Sequence, residues 1–251
     1  MPVAATDLAF YTSANVPETD SGAAGGAIDL LRFFDFTQLV ANDDLEVLSS
    51  SAADTTQTAT VEVRKTDGTL ASQAVTLTGT TAVIFSTLGV IERVVDFELS
   101  ATAAGTVTLR RSVAGATVRT LAPGKRGFMM LFRKTASNPT GGATKQYYSK
   151  GFWKNEHASL ALLSAQVKQN ADPSAVITHL LAAAVDDTAT STNRITAPGV
   201  ADTQDPDTFD DTDKSVPGTD LNFGIAIGVW FNLTLTAGSG PFRSTYTVEI
   251  S

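Results

Sequence analysis

Between residues 60 and 121 apolar and polar side chains alternate in short runs, and each run stops at a turn. Val61 and Val63 alternate with Thr60, Glu62 and Arg64, and Asp67-Gly68 follows. Val75 and Leu77 alternate with Thr76 and Thr78, and Gly79-Thr80 leads into Ala82-Val83-Ile84-Phe85. A further strand runs through Val94, Val95, Phe97 and Leu99. Val107 with Leu109, a turn at Ala114-Gly115, and Val118 with Leu121 make another hairpin. A period of two sends successive side chains to opposite faces of a sheet, and a tight hairpin needs positive φ at its centre, which Gly supplies. Short strands at hairpin spacing are the pattern of a β-sandwich.

Composition supports this. The chain has 36 Thr, 35 Ala and 19 Gly in 251 residues, and leucine-rich stretches at helical spacing are nearly absent. Branching at Cβ suits Thr and Val to a pleated surface. No apolar run reaches the ~18 residues that would span a bilayer, so no membrane partner is expected. There is no cysteine, which excludes disulfides, thiolate zinc sites and thiol nucleophiles. The start, Met1-Pro2-Val3-Ala4-Ala5-Thr6-Asp7, lacks a basic n-region and an apolar h-region, so cytoplasmic synthesis is expected.

The expected fold is all-β: two β-sandwich, jelly-roll-like domains with an extended N-terminal arm. Residues 1–28 read as the arm, because 18–26 is small, polar and Gly-rich, with Tyr11 as an anchor on a neighbour. The first sandwich is expected over 29–121, with the aromatics of Leu30–Phe36 sealing one end. The second is expected over 122–251, since composition and charge change at Pro123-Gly124-Lys125 and Gly127–Arg133 opens an apolar strand. Within it, a bulge is expected near Leu163-Ser164. Residues 172–185 fit two descriptions: Asp172-Pro173 resembles a helix start, with Val176, Leu180 and Ala184 on one helical face, yet Val176-Ile177-Thr178 is strand material. Residues 186–220 read as a long acidic loop with little to bury. Ile225, Ile227, Val229, Phe231, Leu233 and Leu235 form an alternating stripe in the last part of the chain.

The formal charge is −8 with a pI near 4.7, which argues against nucleic acid as a partner. Charge is unevenly spread. Residues 99–155 contain no Asp or Glu but ten basic residues, among them Arg110, Arg111, Arg119, Lys125 and Arg126. These five are the candidate docking residues for an acidic protein surface; the plainer reading is a set of solvated basics on outward strand faces. Reversing Arg110, Arg111, Arg119 and Lys125 to Glu is expected to weaken such docking.

No residue pattern calls for catalysis. The two histidines, His157 and His179, are separated, and His157 beside Glu156 and Ser159 is not a dyad, because neighbours on a strand face opposite ways. Gly238-Ser239-Gly240 is a hairpin tip rather than a nucleophile elbow. The run 22–26 lacks the Lys-Ser/Thr of a phosphate loop. No cofactor is expected. The one candidate metal site is the cluster Asp205, Asp207, Asp210, Asp211 and Asp213, whose spacing would allow Ca²⁺ to be wrapped by oxygens; a solvated acidic loop is the plainer reading. Tyr147, Tyr148, Phe152 and Trp153 are candidates for a carbohydrate-binding platform or, at strand spacing, for core.

Several stretches resemble virion proteins of tailed bacteriophages: Asp7–Asp20 with Gly25–Asp29; Ser49–Thr55 through Asp67-Gly68-Thr69 to Leu77–Thr81; Phe152–Asn155 with Ser159–Leu162; and Phe223–Phe231. The resemblance covers most of the chain in patches and brings no catalytic residues. It implies a non-enzymatic structural protein of the particle, a capsid decoration or cement protein of the virion, made in the bacterial host cytoplasm. Its partners would be the major capsid protein and further copies of itself, a trimer suiting local three-fold positions. A neck or tail component and a carbohydrate-binding host-attachment module are the alternatives.

Overall fold

A computed structural model of the chain describes residues 2–35, 44–133, 144–169, 177–184, 187–199, 209–236 and 248–251. The described residues are almost all β, with one short 3-10 turn at Ala5–Asp7 and no α-helix. Strands of the first half are β1 (Leu8–Asn15), β2 (Gly25–Phe34), β3 (Leu45–Ser49), β4 (Thr58–Lys65), β5 (Leu70–Thr76), β6 (Val83–Phe85), β7 (Ile91–Leu99), β8 (Val107–Arg111) and β9 (Thr117–Leu121). Those that follow are β10 (Gly127–Met129), β11 (Lys145–Asn155), β12 (Gln166–Gln169), β13 (Ile177–Ala183), β14 (Lys214–Ser215), β15 (Ala226–Leu235) and β16 (Val248–Ile250). They fall into two compact units, Leu30–Arg133 and Met1–Asp29 with Lys134–Ser251.

The unit Leu30–Arg133 is a two-sheet sandwich. One sheet has the order β2-β10-β7-β4-β5, the other β6-β3-β8-β9. All pairs are antiparallel except β2 with β10. The alternating residues meet between the sheets: Val61, Val63, Phe97 and Leu99 from one side, and Leu45, Val47, Val107, Leu109 and Leu121 from the other, all buried. Val94 and Val95 are both buried although they are neighbours, because the β4–β7 register slips between Glu62 and Val63, so Val95 is the extra residue of a bulge.

Three loops at one end of this sandwich are tied together by Asp54. Its buried carboxylate accepts hydrogen bonds from Ser49 Oγ (2.6 Å), Ala104 N (2.9 Å), Gly105 N (2.9 Å) and Gln57 Nε2 (3.4 Å). Its carbonyl accepts from Gly79 N at 2.8 Å, and Ser49 N donates to Gly79 O at 2.9 Å. Gly105 lies so close to the serine loop that a Cβ there would sit 2.5 Å from Ser51 N and 2.6 Å from Ser49 Oγ. The Ser49 hydroxyl, with the backbone donors behind it, holds the Asp54 carboxyl below its usual range despite burial.

This unit ends later than the sequence suggests. Pro123-Gly124 is only a turn, with Lys125 N donating to Ala122 O, and the apolar strand after it is β10, inserted between β2 and β7. Phe128 stacks on Phe97 with ring centroids 5.3 Å apart. The expected break at 121–122 therefore moves to Arg133. Burying Phe128 and Met129 on both sides outweighs the change of composition that marked Pro123.

In the other unit a sheet of order β13-β15-β11-β1-β2 is accompanied by a small sheet β14-β12-β16. The expected N-terminal arm is largely strand: β1 pairs with β11 from Leu8↔Asn155 to Thr12↔Gly151, and Phe10, Tyr11, Thr12 and Ser13 are buried in succession. The Gly-rich run ends in β2 itself. Gly25 has φ +98°, and a Cβ on it would lie 2.6 Å from the Trp230 ring and 2.7 Å from Ala189 O, so glycine is needed there for space as well as backbone. Strand β15 is buried on both faces, from Ile227 through Leu233, rather than on the one face its alternation suggests, and Ile225 lies outside it, exposed.

At 177–183 the choice between helix and strand resolves to strand β13, paired with β15 from Ile177↔Leu235 to Ala183↔Val229. Asp172-Pro173 lies outside the described residues. The acidic stretch 186–220 buries more than expected: Ser191, Arg194 and Val216 are buried. Arg194 donates to Asp20 Oδ1 (3.1 Å) and Pro17 O (3.2 Å), and its guanidinium lies 4.8 Å from the centre of the Tyr147 ring.

Candidate docking surfaces

The five basic candidates lie in the sandwich of residues 30–133, and the charges of Arg110, Arg119, Lys125 and Arg126 are used within it. Arg110 Nε donates to Glu46 Oε1 at 2.6 Å, and the same oxygen accepts from Ala114 N at 2.9 Å. Arg119 faces Asp35 at 3.6 Å, and Arg126 pairs with Glu98. Lys125 Nζ donates to Leu30 O at 2.9 Å and sits over the Phe33 ring. Arg111, at the end of β8, is half-buried, and its backbone closes the turn to Ala116 and Gly115. Glu46 is buried, so reversing Arg110 to Glu would set two carboxylates against each other inside the fold rather than only repel a partner. In the other unit, Lys145 faces Asp20 (3.6 Å), Lys154 faces Glu156 (3.5 Å), and Lys150 is fully buried against the rings of Phe152 and Trp230.

Tyr11 does not face a neighbour. It is fully buried in β1, and its hydroxyl donates to Glu156 Oε1 at 2.5 Å; burial, with that carboxylate, pushes its phenol well up. Its anchor is internal.

Of the aspartate cluster, Asp205 and Asp207 lie outside the described residues. Asp210 accepts from Lys214 Nζ (2.7 Å), Thr212 N (2.8 Å) and Thr212 Oγ1 (2.5 Å), and Asp213 faces Lys168 at 3.6 Å. Burial pushes the Asp210 carboxyl up, but Lys214 and Thr212 together hold it below its usual range. Asp211 is exposed. Two of the three described aspartates are thus committed to lysines on different strands.

The four aromatics do not make a platform. Tyr147, Tyr148 and Phe152 are buried, and half-buried Trp153 stacks on Phe10 with ring centroids 4.6 Å apart. His179 is buried in β13. His157 Nδ1 accepts from Ser159 N (3.0 Å) and Leu160 N (2.9 Å), so this histidine shapes a turn.

That turn belongs to a pair of loops that carry exposed apolar side chains. Asn155, fully buried at the end of β11, fixes two loops at once: its Nδ2 donates to Leu160 O (2.8 Å) and Leu221 O (3.0 Å), and its Oδ1 accepts from His157 N (3.0 Å). Its backbone exchanges bonds with Ile225 O (3.0 Å) and Gly224 N (2.8 Å). Leu162 pairs with Leu221, and Ser164, at φ 53°, donates to Asp220 Oδ1 at 2.9 Å. Where a bulge within a strand was expected, at Leu163-Ser164, the chain instead makes this tight loop between β11 and β12. On it Leu160 is 37% exposed and Leu163 70%; on the facing loop Phe223 is 54% and Ile225 55%. Scattered apolar residues on a surface are ordinary, but these four lie on two loops that one buried side chain ties together. Two separate stretches of the chain, Asn155–Leu163 and Leu221–Ile225, build it. Sequence reading missed Asn155 because a lone Asn after an aromatic run carries no spacing signal.

The sandwich of residues 30–133 also carries a titrating group. Asp96 on β7 lies directly opposite Glu62 and beside Glu98, and it pairs with Arg133. Burial pushes its carboxyl up to about 6, Glu98 and Glu62 add to this, and Arg133 and Arg32 only partly offset it. A folded value above the unfolded one means that the protonated form favours folding. The contribution is complete below pH ~4 and is lost as pH rises through ~6, at about 3 kcal/mol for the full shift. Asp54 acts oppositely, and its support is lost below pH ~4. Urea unfolding is therefore expected to show higher stability at pH 5 than at pH 7, and Asp96→Asn should flatten that difference.

Compared with protein-family models, curated proteins and solved structures, the chain matches none.

Proposed function

We propose that this protein is a non-enzymatic structural component of a tailed-bacteriophage particle, a capsid decoration or cement protein that binds the outer shell and stabilises contacts between capsomers. The observation that carries the reading is the set of exposed apolar side chains, Leu160, Leu163, Phe223 and Ile225, on two loops tied together by Asn155. Two of the stretches that resemble phage virion proteins meet there. Loops tied together in this way lose less entropy on docking than free ones, and apolar anchors at the centre of an interface dominate binding energy. The in-chain pairing of Arg110, Arg119 and Arg126 moves the expected contact away from the basic zone and onto this patch.

Quantitative mass spectrometry of purified particles tests the reading. Copies in near-simple proportion to the major capsid protein are expected. A handful of copies would instead mean a neck or tail component, and absence from particles would end the virion reading. A Leu163→Asp/Phe223→Asp variant should keep its melting temperature, since both side chains already face water, and should lose shell occupancy at least about tenfold. Unchanged occupancy would remove this patch as the docking surface.

A further inference from the structure

The sheet β2-β10-β7-β4-β5 ends in a bare strand. The bonds Leu77 N to Gln57 O (2.9 Å) and Lys65 N to Thr69 O (2.8 Å) show that odd-numbered residues of β5 direct their backbone groups at β4. Leu70, Ser72, Ala74 and Thr76 therefore direct their N–H and C=O groups outward. Among the described residues nothing pairs with these groups, and all four residues are exposed. On the core side Ala71 and Val75 pack against the sandwich interior, and Gln73 Oε1 accepts from Thr87 N and Oγ1 at 2.8 Å, so the strand is held straight from below.

Sheet edges are ordinarily guarded by charge, proline, a bulge or a covering segment. Two of the other edges are guarded. β9 carries Arg119, and on β13 Leu181 exchanges bonds with Asp210 at 3.0 and 3.4 Å. β5, Leu70-Ala71-Ser72-Gln73-Ala74-Val75-Thr76, has no charge, no proline and no register shift against β4.

We propose that two copies of this chain pair antiparallel through β5, edge to edge, about a two-fold axis at Gln73. That register alone uses every outward group: Leu70 faces Thr76 of the second copy and Ser72 faces its Ala74, each pair exchanging two backbone bonds. No like charges meet anywhere along the seam, which is the complementarity a strand needs to accept itself, and the cross-strand pairs are small or apolar. The two interiors then continue through Ala71 against Val75. A two-fold pairing gives dimers rather than the trimer suggested by capsid geometry, and it stands whether or not the protein is a shell component.

Sedimentation of the full chain over a range of concentrations tests this, with two variants. Ala74→Pro removes only an outward N–H, a change an edge strand tolerates, so its melting temperature should stay close to wild type. Gln73→Cys places the sole thiols of two copies opposite each other at a non-hydrogen-bonded pair, about 4.5 Å between Cα atoms, within disulfide reach. Expected results are a wild-type dimer, a dissociation constant raised at least about tenfold in Ala74→Pro, and a covalent dimer from Gln73→Cys on oxidation but not from Ala101→Cys. A monomer at all concentrations, a trimer, or a dimer indifferent to Ala74→Pro and giving no Gln73→Cys crosslink would each overturn the proposal.

Discussion

Asp54→Ala is expected to cost about 4 kcal/mol of stability, among the larger effects a single substitution produces. The side chain is buried and accepts four hydrogen bonds, from Ser49, Ala104, Gly105 and Gln57. Alanine would leave the Gly105 N–H and the Ser49 hydroxyl inside the fold without an acceptor, and hydrogen bonds to a charged group are roughly twice as strong as neutral ones. Asp54→Asn keeps the shape but turns an NH₂ toward one pair of donors, so about half the loss is expected. Urea denaturation at neutral pH measures both. A loss below about 1 kcal/mol for alanine would mean that the three loops hold together without this carboxylate.

Asn155→Ala is expected to cost about 3 kcal/mol and to disable the proposed docking patch, although every apolar side chain on it is still present. Leu160 O would lose its donor, Leu221 O one of its two (Leu162 N remains), and His157 N its acceptor, around a fully buried position. Asn155→Asp should fare no better, since a carboxylate oxygen would face two carbonyls in place of the NH₂ that now bridges them. Amide exchange should rise in residues 157–165 and 219–225 in both variants. Shell occupancy should fall as far as in Leu163→Asp/Phe223→Asp. Occupancy preserved with freely exchanging loops would separate docking from this patch.

Most of the strand pattern of residues 60–121 is legible, because alternation and glycine turns are local properties of the chain, although the bulge at Val95 is not. Asp67-Gly68 turns as expected, with Gly68 at φ +85° and Thr69 N capped by Asp67 Oδ1 at 2.8 Å. What alternation does not encode is which strand lies beside which. Residues 8–15 looked like an arm because the Gly-rich stretch after them is not core material. Their partners, β11 and the Glu156 carboxylate, lie about 145 positions away. The boundary at Pro123 failed for the same reason, since β10 pairs backward with β2 and β7. At the candidate site the four exposed apolar residues were visible only as letters in two stripes. Leu160 and Ile225 read as strand members, and only the position of Asn155 turns them outward. Lys150 was counted as surface charge, yet the aromatics around it, Phe152 and Trp230, were the better guide to its burial.

The division of the chain also sets an order of events during synthesis. Residues 30–133 form a continuous stretch and can complete their sandwich as soon as they emerge. Strand β1 has no such neighbour in time: apart from the start of β2, its partner β11 is made well over a hundred residues later, on the order of ten seconds at ordinary elongation rates. For that interval Phe10 and Tyr11 are without the cover they have in the finished protein, and the leading segment is open to capture by a chaperone or by another nascent copy. A chain halted near residue 133 would thus carry a finished middle and an unfinished front.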